Sequence, residues 1–300
     1  MKRIYFAILI IFLICLIPLD SFAAETEQKK GLGKIVFCQY DGKYWQIWTM
    51  DLGGSNRKQL THSEVDKRYP NLSSDGRRIV YVDNEGKLWF MNSDGSNNAQ
   101  VPLNISASEP KWCFQGKKII FTSFRGVSFL DDSDIWIINS DGSGLKKIIR
   151  RPSIQFLPDV SKNGNEIIFV DVLELSGHEI FKLDLKTNDY IQLTQNRFHD
   201  TAAVFAGDGE KIAYSSDEDG NYDIWIMDKF GQNRKNLTER PAFDSSPAVT
   251  SDGKTVFFLS DSSGTRQIWR VDIDGKKLKQ ITNDNQDKQD ISVYASAYEQ

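Results

Sequence analysis

The sequence predicts an all-β protein, a six-bladed β-propeller made of four-stranded antiparallel blades. A pair of one aliphatic and one aromatic residue recurs six times, at spacings of 41 to 47 residues. Turn residues recur in step with this pair, and no stretch of the chain has sustained helical periodicity. A repeat of about 40 to 48 residues with several short strands is typical of a propeller, in which each repeat forms one blade.

The clearest repeat, from Asp244 to Thr282, contains four short runs with strand character, separated by turn residues. The turns are rich in Asp and Gly, which tolerate the positive φ of tight hairpins. The runs between them are rich in β-branched and aromatic residues, which favour strands. In order, the runs and turns are Pro247 to Val249, Asp252-Gly253, Thr255 to Leu259, Asp261 to Gly264, Arg266 to Ile273, Asp274-Gly275 and Leu278 to Ile281.

Three features of this repeat recur along the chain. The aliphatic-aromatic pair occurs as Ile47-Trp48, Leu88-Trp89, Ile135-Trp136, Ile180-Phe181, Ile224-Trp225 and Ile268-Trp269. The turn before the second strand occurs as Asp75-Gly76, Gln115-Gly116, Asn163-Gly164, Asp208-Gly209 and Asp252-Gly253. Six residues before each of these glycines stand Pro70, Pro110, Pro158, Ala203 and Pro247. Because one blade cannot bury both of its faces, we expect the aromatic residue of each pair to fill the gap between neighbouring blades.

The first repeat begins near Lys34 without the Pro and without the turn, so it lacks its innermost strand. The last residues supply a match, because Asp290 to Ala295 resembles Asp244 to Val249 when the two aspartates are aligned. We therefore predict that Ile291 to Ala297 pairs with Ile35 to Gln39 and closes the ring. Closure removes the free sheet edges of an open array.

The amino terminus has the pattern of a secretory signal. Lys2 and Arg3 precede an apolar run from Ile4 to Leu19, and small residues lie before a cleavage site after Ala23. The sequence thus predicts a signal peptide at 1–23, a linker at 24–33 and a propeller at 34–300, in a periplasmic or secreted protein. An uncleaved membrane anchor is the alternative, although the apolar run is shorter than the ~20 residues of a spanning helix.

The charge of the chain is mildly acidic. The formal net charge is −4, and removal of 1–23, with two basic residues and one acidic residue, makes it −5. Nucleic-acid binding needs a basic surface, so a nucleic-acid partner is disfavoured. Cys38 and Cys113 remain in the mature chain, in different strand types of non-neighbouring repeats, and we expect buried free thiols.

The order Asp-x-x-Pro, Ser-Asp-Gly, Ile-Trp, Asp-Gly and Leu-Thr within the repeat resembles the repeat of the TolB carboxyl-terminal propeller. The resemblance covers 34–300. It implies an envelope protein whose channel mouth binds another envelope protein or a lipoprotein. We separately expect a non-catalytic monomer with no stable membrane span after signal cleavage. The TolB proteins also carry an α/β domain before the propeller, and the linker of Ala24 to Gly33 is too short for one.

The loops that lead into the innermost strands of a propeller surround the end of its central channel. Polar and aromatic residues precede each Pro or its equivalent, and we expect them to form a mixed-charge ring at the channel mouth that binds a partner by charge-assisted hydrogen bonds. These candidate residues are Asp66, Arg68, Glu109, Gln155, His199, Asp200, Phe243, Asp244 and Asp290. The alternative is that each Asp caps a tight turn of its own blade.

The sequence offers little for catalysis. It has no Gly-x-Ser-x-Gly nucleophile motif, and its three histidines, His62, His178 and His199, are not paired at metal-ligand spacing. We expect His62 and His178 to be exposed loop residues, so that only His199 lies near the mouth. We therefore predict no catalytic residue and no metal ligand, and leave a metal-dependent hydrolase or lyase with its site in the channel as the alternative.

Two acidic segments resemble calcium loops in part. Asp217 to Asp223 alternates oxygen ligands, but its Gly is fourth and no Glu follows at position twelve, as an EF-hand would need. We expect an exposed acidic hairpin there and at Asp131, Asp132 and Asp134. No cofactor is predicted, and a divalent cation such as calcium is the alternative.

Overall fold

A computed structural model of the chain describes residues 33–124, 133–149, 151–173 and 177–295. The predicted signal peptide at 1–23, all of the linker except Gly33, Asp131 and Asp132, and the last two residues of the predicted closing strand lie outside the described residues. None of the described residues belongs to a helix with the length and apolar character needed to cross a membrane.

The described residues form 24 strands in six four-stranded antiparallel sheets and contain no helix. Each sheet is one blade, and the first strand named in each blade is the innermost one. Blade 1 consists of β24 (Lys288–Ala295), β1 (Gly33–Tyr40), β2 (Trp45–Asp51) and β3 (Lys58–Gln59). Blade 2 consists of β4 (Lys67–Leu72), β5 (Arg78–Asp83), β6 (Leu88–Asn92) and β7 (Ala99–Gln100). Blade 3 consists of β8 (Ser108–Cys113), β9 (Lys118–Phe124), β10 (Ser133–Asn139) and β11 (Lys146–Lys147).

The second half of the ring repeats this plan. Blade 4 consists of β12 (Ile154–Val160), β13 (Glu166–Leu173), β14 (Gly177–Asp184) and β15 (Tyr190–Gln192). Blade 5 consists of β16 (Thr201–Ala206), β17 (Lys211–Ser216), β18 (Asp223–Asp228) and β19 (Lys235–Asn236). Blade 6 consists of β20 (Asp244–Val249), β21 (Thr255–Ser260), β22 (Gln267–Asp272) and β23 (Lys279–Gln280).

The innermost strands form a closed ring around the axis. β24 contacts β4, and the contacts continue through β8, β12, β16 and β20 back to β24. The predicted fold, a six-bladed propeller closed by a carboxyl-terminal strand, is confirmed. We call the end of the ring at which these innermost strands begin the mouth.

The hydrophobic core lies between the blades, as predicted. Each of six core clusters joins residues of two neighbouring blades; Ile35 and Phe37 of blade 1, for example, pack with Phe257 and Leu259 of blade 6. The aromatic residue of each repeat pair belongs to or packs against the cluster shared with the preceding blade, and these residues are Trp48, Trp89, Trp136, Phe181, Trp225 and Trp269. The gap aromatics are therefore structural, and several lie under a cation, as Trp269 lies 4.4 Å from Arg240.

The closing strand differs from the prediction in its register. β24 pairs with β1 so that Val293 lies opposite Ile35 and Lys288 opposite Gln39. In blade 6, Asp244 lies opposite Ser260 at the end of β21. Lys288, and not Asp290, therefore occupies the place of Asp244, and the predicted alignment is wrong by two residues. A shift of two residues keeps every side chain on the same face, so alternation could not distinguish the two registers.

All six innermost strands share one irregularity. The residue before each Pro, or before its equivalent, has a left-handed backbone with φ between 50° and 56°, and the pairing register shifts at this point. These six residues, which we call the bulge positions, are Tyr69, Glu109, Leu157, Ala202, Ser246 and Asp290. A positive φ is uncommon for residues other than glycine and costs about 1 to 3 kcal/mol when the surroundings impose it. Its repetition in every blade makes it a feature of the fold.

Candidate functional site

The channel holds a cavity of about 380 Å³. All six bulge positions line it, together with the residue that follows each of them. The residues directly after the bulge positions are all buried, and four of the six are prolines. They are Pro70, Pro110, Pro158, Ala203, Pro247 and Ile291. The bulge thus directs one side chain from each blade into the channel, next to the prolines that also line it. The volume of the cavity lies at the lower end of the range of small-ligand sites, about 300 to 1,000 Å³.

Two bulge positions carry carboxylates that also connect the blades. Oε2 of Glu109 accepts hydrogen bonds from the backbone N–H of Leu157, at 2.7 Å, and from the Thr122 hydroxyl, at 2.8 Å. Oδ2 of Asp290 accepts from Nε of Arg68, at 2.7 Å, and from the backbone N–H of Tyr69, at 3.2 Å. In both cases the acceptor binds the bulge residue of the next blade. Burial raises the pKa of the Glu109 carboxyl, and the hydrogen bonds from Leu157 and Thr122 oppose this rise.

The residues two positions before the bulge lie elsewhere. We call them the anchor positions, and they are Lys67, Ala107, Gln155, Asp200, Asp244 and Lys288. All six are buried, with exposed fractions of 6% or less, and none lines the cavity. Gln155, Asp200 and Asp244 are predicted to form a ring at the mouth. They lie where their innermost strands begin, at the mouth end, but their side chains are buried and do not line the cavity.

Three polar anchor residues bond the loop that leads into their own strand. Asp244 forms a two-point ion pair with Arg240, at 2.9 and 3.0 Å. Asp200 accepts a hydrogen bond from Nδ2 of Asn196 at 2.8 Å, and Nε2 of Gln155 donates to the Ser153 hydroxyl at 2.8 Å. Burial raises the pKa of Asp244, and the Arg240 hydrogen bonds oppose the rise. These partners lie in the loop before each strand, and Nε2 of Gln155 also donates to the backbone oxygen of Ser153.

The remaining candidates lie at the rim of the mouth. Asp66 is half-buried and accepts a hydrogen bond from the backbone N–H of Trp45 at 2.9 Å. Phe243 is 39% exposed, lies 4.9 Å from the ring of Tyr222, and lines the cavity. His199 is exposed at the position equivalent to Phe243 in the preceding blade. Of the nine candidates, the structure brings Glu109, Asp290 and Phe243 together around one cavity.

The prediction that His178 is an exposed loop residue is wrong. It belongs to β14, is half-buried, and its ring lies edge-to-face with that of His199 at 4.9 Å and with that of Phe156 at 5.4 Å. Burial and the neighbouring His199 lower the pKa of His178. Nδ1 of His199 lies 2.9 Å from Asp217. The mouth of blades 4 and 5 therefore carries two histidines, while His62 is exposed as expected.

The segment from Asp217 to Asp223 is more involved in bonding than an exposed acidic hairpin would be. Glu218 pairs with Arg234, Asp219 accepts from Asn236 at 2.8 Å, and buried Asp223 accepts from Thr238 at 3.0 Å. Asp134 is buried and pairs with Lys147. Within the described ranges, no group of three or more His, Cys, Asp and Glu side chains is arranged to hold a metal ion.

Sequence reasoning missed Tyr222 and Arg266, which line the cavity near Phe243, and the bulge residues other than Glu109 and Asp290. Arg266 lies 5.9 Å from the Phe243 ring. The sequence feature that could have identified the bulge residues is their position directly before each Pro or its equivalent. A plain strand model, in which residues two apart share a face, gave the anchor and bulge positions the same orientation.

Comparison with protein families decides where the chain belongs. Residues 118–297, more than half of the chain, match the model of the TolB beta propeller domain. The chain belongs to this family. The Protein TolB homolog of Chlorobium luteolum is 27% identical to the present TolB-like propeller over 172 residues, which cover 56% of this chain and 38% of the relative.

Other relatives agree with this assignment. The Tol-Pal system protein TolB of Anaeromyxobacter dehalogenans is 30% identical over 119 residues, which cover 38% of this chain and 26% of the relative. The chain thus spans well under half of the length of either relative. The crystal structure of TolB from Acinetobacter baumannii has a TM-score of 0.77 at 17% identity, over 88% of this chain and 67% of that one. At that identity the likeness concerns the fold.

Proposed function

We propose that this TolB-like propeller is an exported envelope protein that binds a protein partner at the mouth of its channel. The observation that carries the proposal is the cluster of Tyr222, Phe243 and Arg266 beside an open cavity. Tyr and Arg are enriched among the residues that contribute most to protein interfaces, and Phe among interface residues in general. The signal pattern at 1–23 and the relatives named for the Tol-Pal system support the envelope location.

Hydrogen bonds to the backbone beside the aromatic residues hold this cluster in place. The backbone N–H of Phe243 donates to Asp261 at 2.9 Å, and Nδ2 of Asn221, next to Tyr222, donates to the backbone oxygen of Ala242 at 2.7 Å. An aromatic group that is already ordered loses less side-chain entropy when it binds. These contacts use the backbone, so truncation of the Phe243 side chain leaves them intact.

The test is capture of partners from envelope extract by the immobilised protein, with Phe243→Ala and Tyr222→Ala compared with the unchanged chain. Phe230→Ala is the matched control, because Phe230 is 62% exposed in the β18–β19 turn at the opposite end of the blades. We expect the mouth variants to lose a partner that the control retains. Equal capture by all four proteins, or no partner at all, would reject the proposal. Turnover of glycan or lactone substrates together with a bound metal would favour the enzymatic alternative.

A further inference from the structure

A second concave site lies at the mouth, on the side of blade 1. It has a volume of about 330 Å³ and is lined by Tyr40, Gly42 and Trp45 of the β1–β2 hairpin and by Asn285, Gln286 and Asp287 of the loop before β24. None of these residues lines the channel cavity. We call it the hairpin groove.

One wall of the hairpin groove is aromatic. The rings of Tyr40 and Trp45 lie 5.6 Å apart, and Tyr40 is 40% exposed. The guanidinium of Arg68 lies 5.5 Å from the Trp45 ring and is held by Asp290 at 2.7 Å. The backbone N–H of Trp45 donates to Asp66. Trp45 is thus fixed from two sides, and an ordered aromatic surface binds at a low entropic cost.

The other wall is polar, uncharged apart from Asp287, and only partly used by the protein. Oδ1 of Asp287 accepts from the backbone N–H of Arg266 at 2.9 Å, and Oε1 of Gln286 accepts from Gln39. Within the described ranges, the side chain of Asn285, Nε2 of Gln286 and Oδ2 of Asp287 form no hydrogen bond. The groove therefore offers amide donors and both amide and carboxylate acceptors to a ligand.

These two walls match one class of ligand. A pyranose ring has an apolar face of C–H groups, which stacks on aromatic rings, and an edge of hydroxyls, each of which both donates and accepts hydrogen bonds. A phosphate or carboxylate ligand would need a cation, and the lining contains neither Lys nor Arg. We propose that the hairpin groove binds a neutral carbohydrate, as one or two pyranose units of a glycan. Gly42 contributes open space, because a Cβ there would meet no atom within 4 Å.

The test uses the full chain and a panel of neutral pyranose oligosaccharides that includes the β-1,4-linked trimer of N-acetylglucosamine and cellotriose. Binding is measured by saturation-transfer NMR and by the change in tryptophan fluorescence. For a ligand of this size we expect a dissociation constant on the order of 1 mM. Tyr40→Ala and Asn285→Ala are both at exposed positions, and each should weaken binding about tenfold or more. The first removes a stacking surface, and the second removes the hydrogen bonds of the amide.

Phe243→Ala is the matched control, because it removes an exposed aromatic from the mouth outside the hairpin groove. It should bind the sugar like the unchanged chain, and Tyr40→Ala should still capture the envelope partner. The sugar site and the protein site can therefore fail separately. The proposal is overturned if no sugar in the panel binds saturably, if the two groove variants bind it unchanged, or if Tyr40→Ala loses the protein partner instead.

Discussion

The anchor and bulge positions lie two residues apart where each innermost strand begins, and they have opposite environments. Asp244 is fully buried and paired with Arg240, whereas Ser246 lines the channel. In a regular strand the two would share a face. The left-handed residue in each blade breaks that rule, so that the anchor position is buried within the blade and the bulge position lines the channel cavity.

The largest expected effect comes from removing the anchor position and the bulge position of blade 1 together, with the whole of β24. Deletion of residues 288–300 takes away β24 and exposes the edge of β1, with Ile35 and Phe37 of the shared core. We expect loss of the cooperative thermal transition, measured by circular dichroism, because the ring is then open. Truncation after Ala295 keeps every described strand and is the control. A deletion protein that melts like the full chain would show that β24 does not close the ring.

The next effect separates the two positions within blade 6. Asp244→Ala leaves the largely buried Arg240 without its two-point partner, and the free energy of unfolding should fall by about 3 to 5 kcal/mol. Ser246→Ala keeps the backbone bond from Ser246 to Ser215, at 3.2 Å, and should change stability by less than about 1 kcal/mol. Urea unfolding measures both. Similar losses for the two variants would contradict the division of roles.

A smaller effect concerns the anchor position of blade 1. Asp284 binds Nζ of Lys288 at 2.5 Å and Nη1 of Arg57 at 2.6 Å. Burial opposes ionisation, but these hydrogen bonds prevail and lower the pKa of Asp284 from 3.8 to about 2. Its stabilising contribution is therefore present above pH 3.8 and is lost as the pH falls through about 2. Asp284→Asn should cost about 1 kcal/mol at pH 7, because the pair is partly exposed, and the difference should vanish near pH 2.

The unfolding of both proteins across this pH range provides the check. A constant difference between Asp284→Asn and the unchanged chain down to pH 2 would mean that the carboxylate charge does not stabilise the strand.

Much of the fold could be predicted, because period, turns and gap tryptophans such as Trp269 all follow from short-range sequence patterns. The closing strand was also predictable, since blade 1 lacked its first strand. Its register was not, because a shift of two residues between Asp290 and Lys288 preserves alternation. The site was harder for a related reason. Glu109, Asp290 and Phe243 were identified, but the bulge that places Tyr69 and Ala202 in the channel depends on a local backbone state that residue alternation does not encode.

The direct test of this division is the reactivity of a cysteine placed at each kind of position. Ala107 is an anchor residue with 4% exposure, and Ala202 is a bulge residue that lines the cavity, so both changes are Ala→Cys. The native Cys38 and Cys113 are buried and free, and serve as internal references in a Cys15→Ser background. With a small disulfide reagent in native buffer, Ala202→Cys should react at least about tenfold faster than Ala107→Cys, which should be as slow as the native thiols. Equal rates at the two positions, or a faster reaction at Ala107→Cys, would contradict the account.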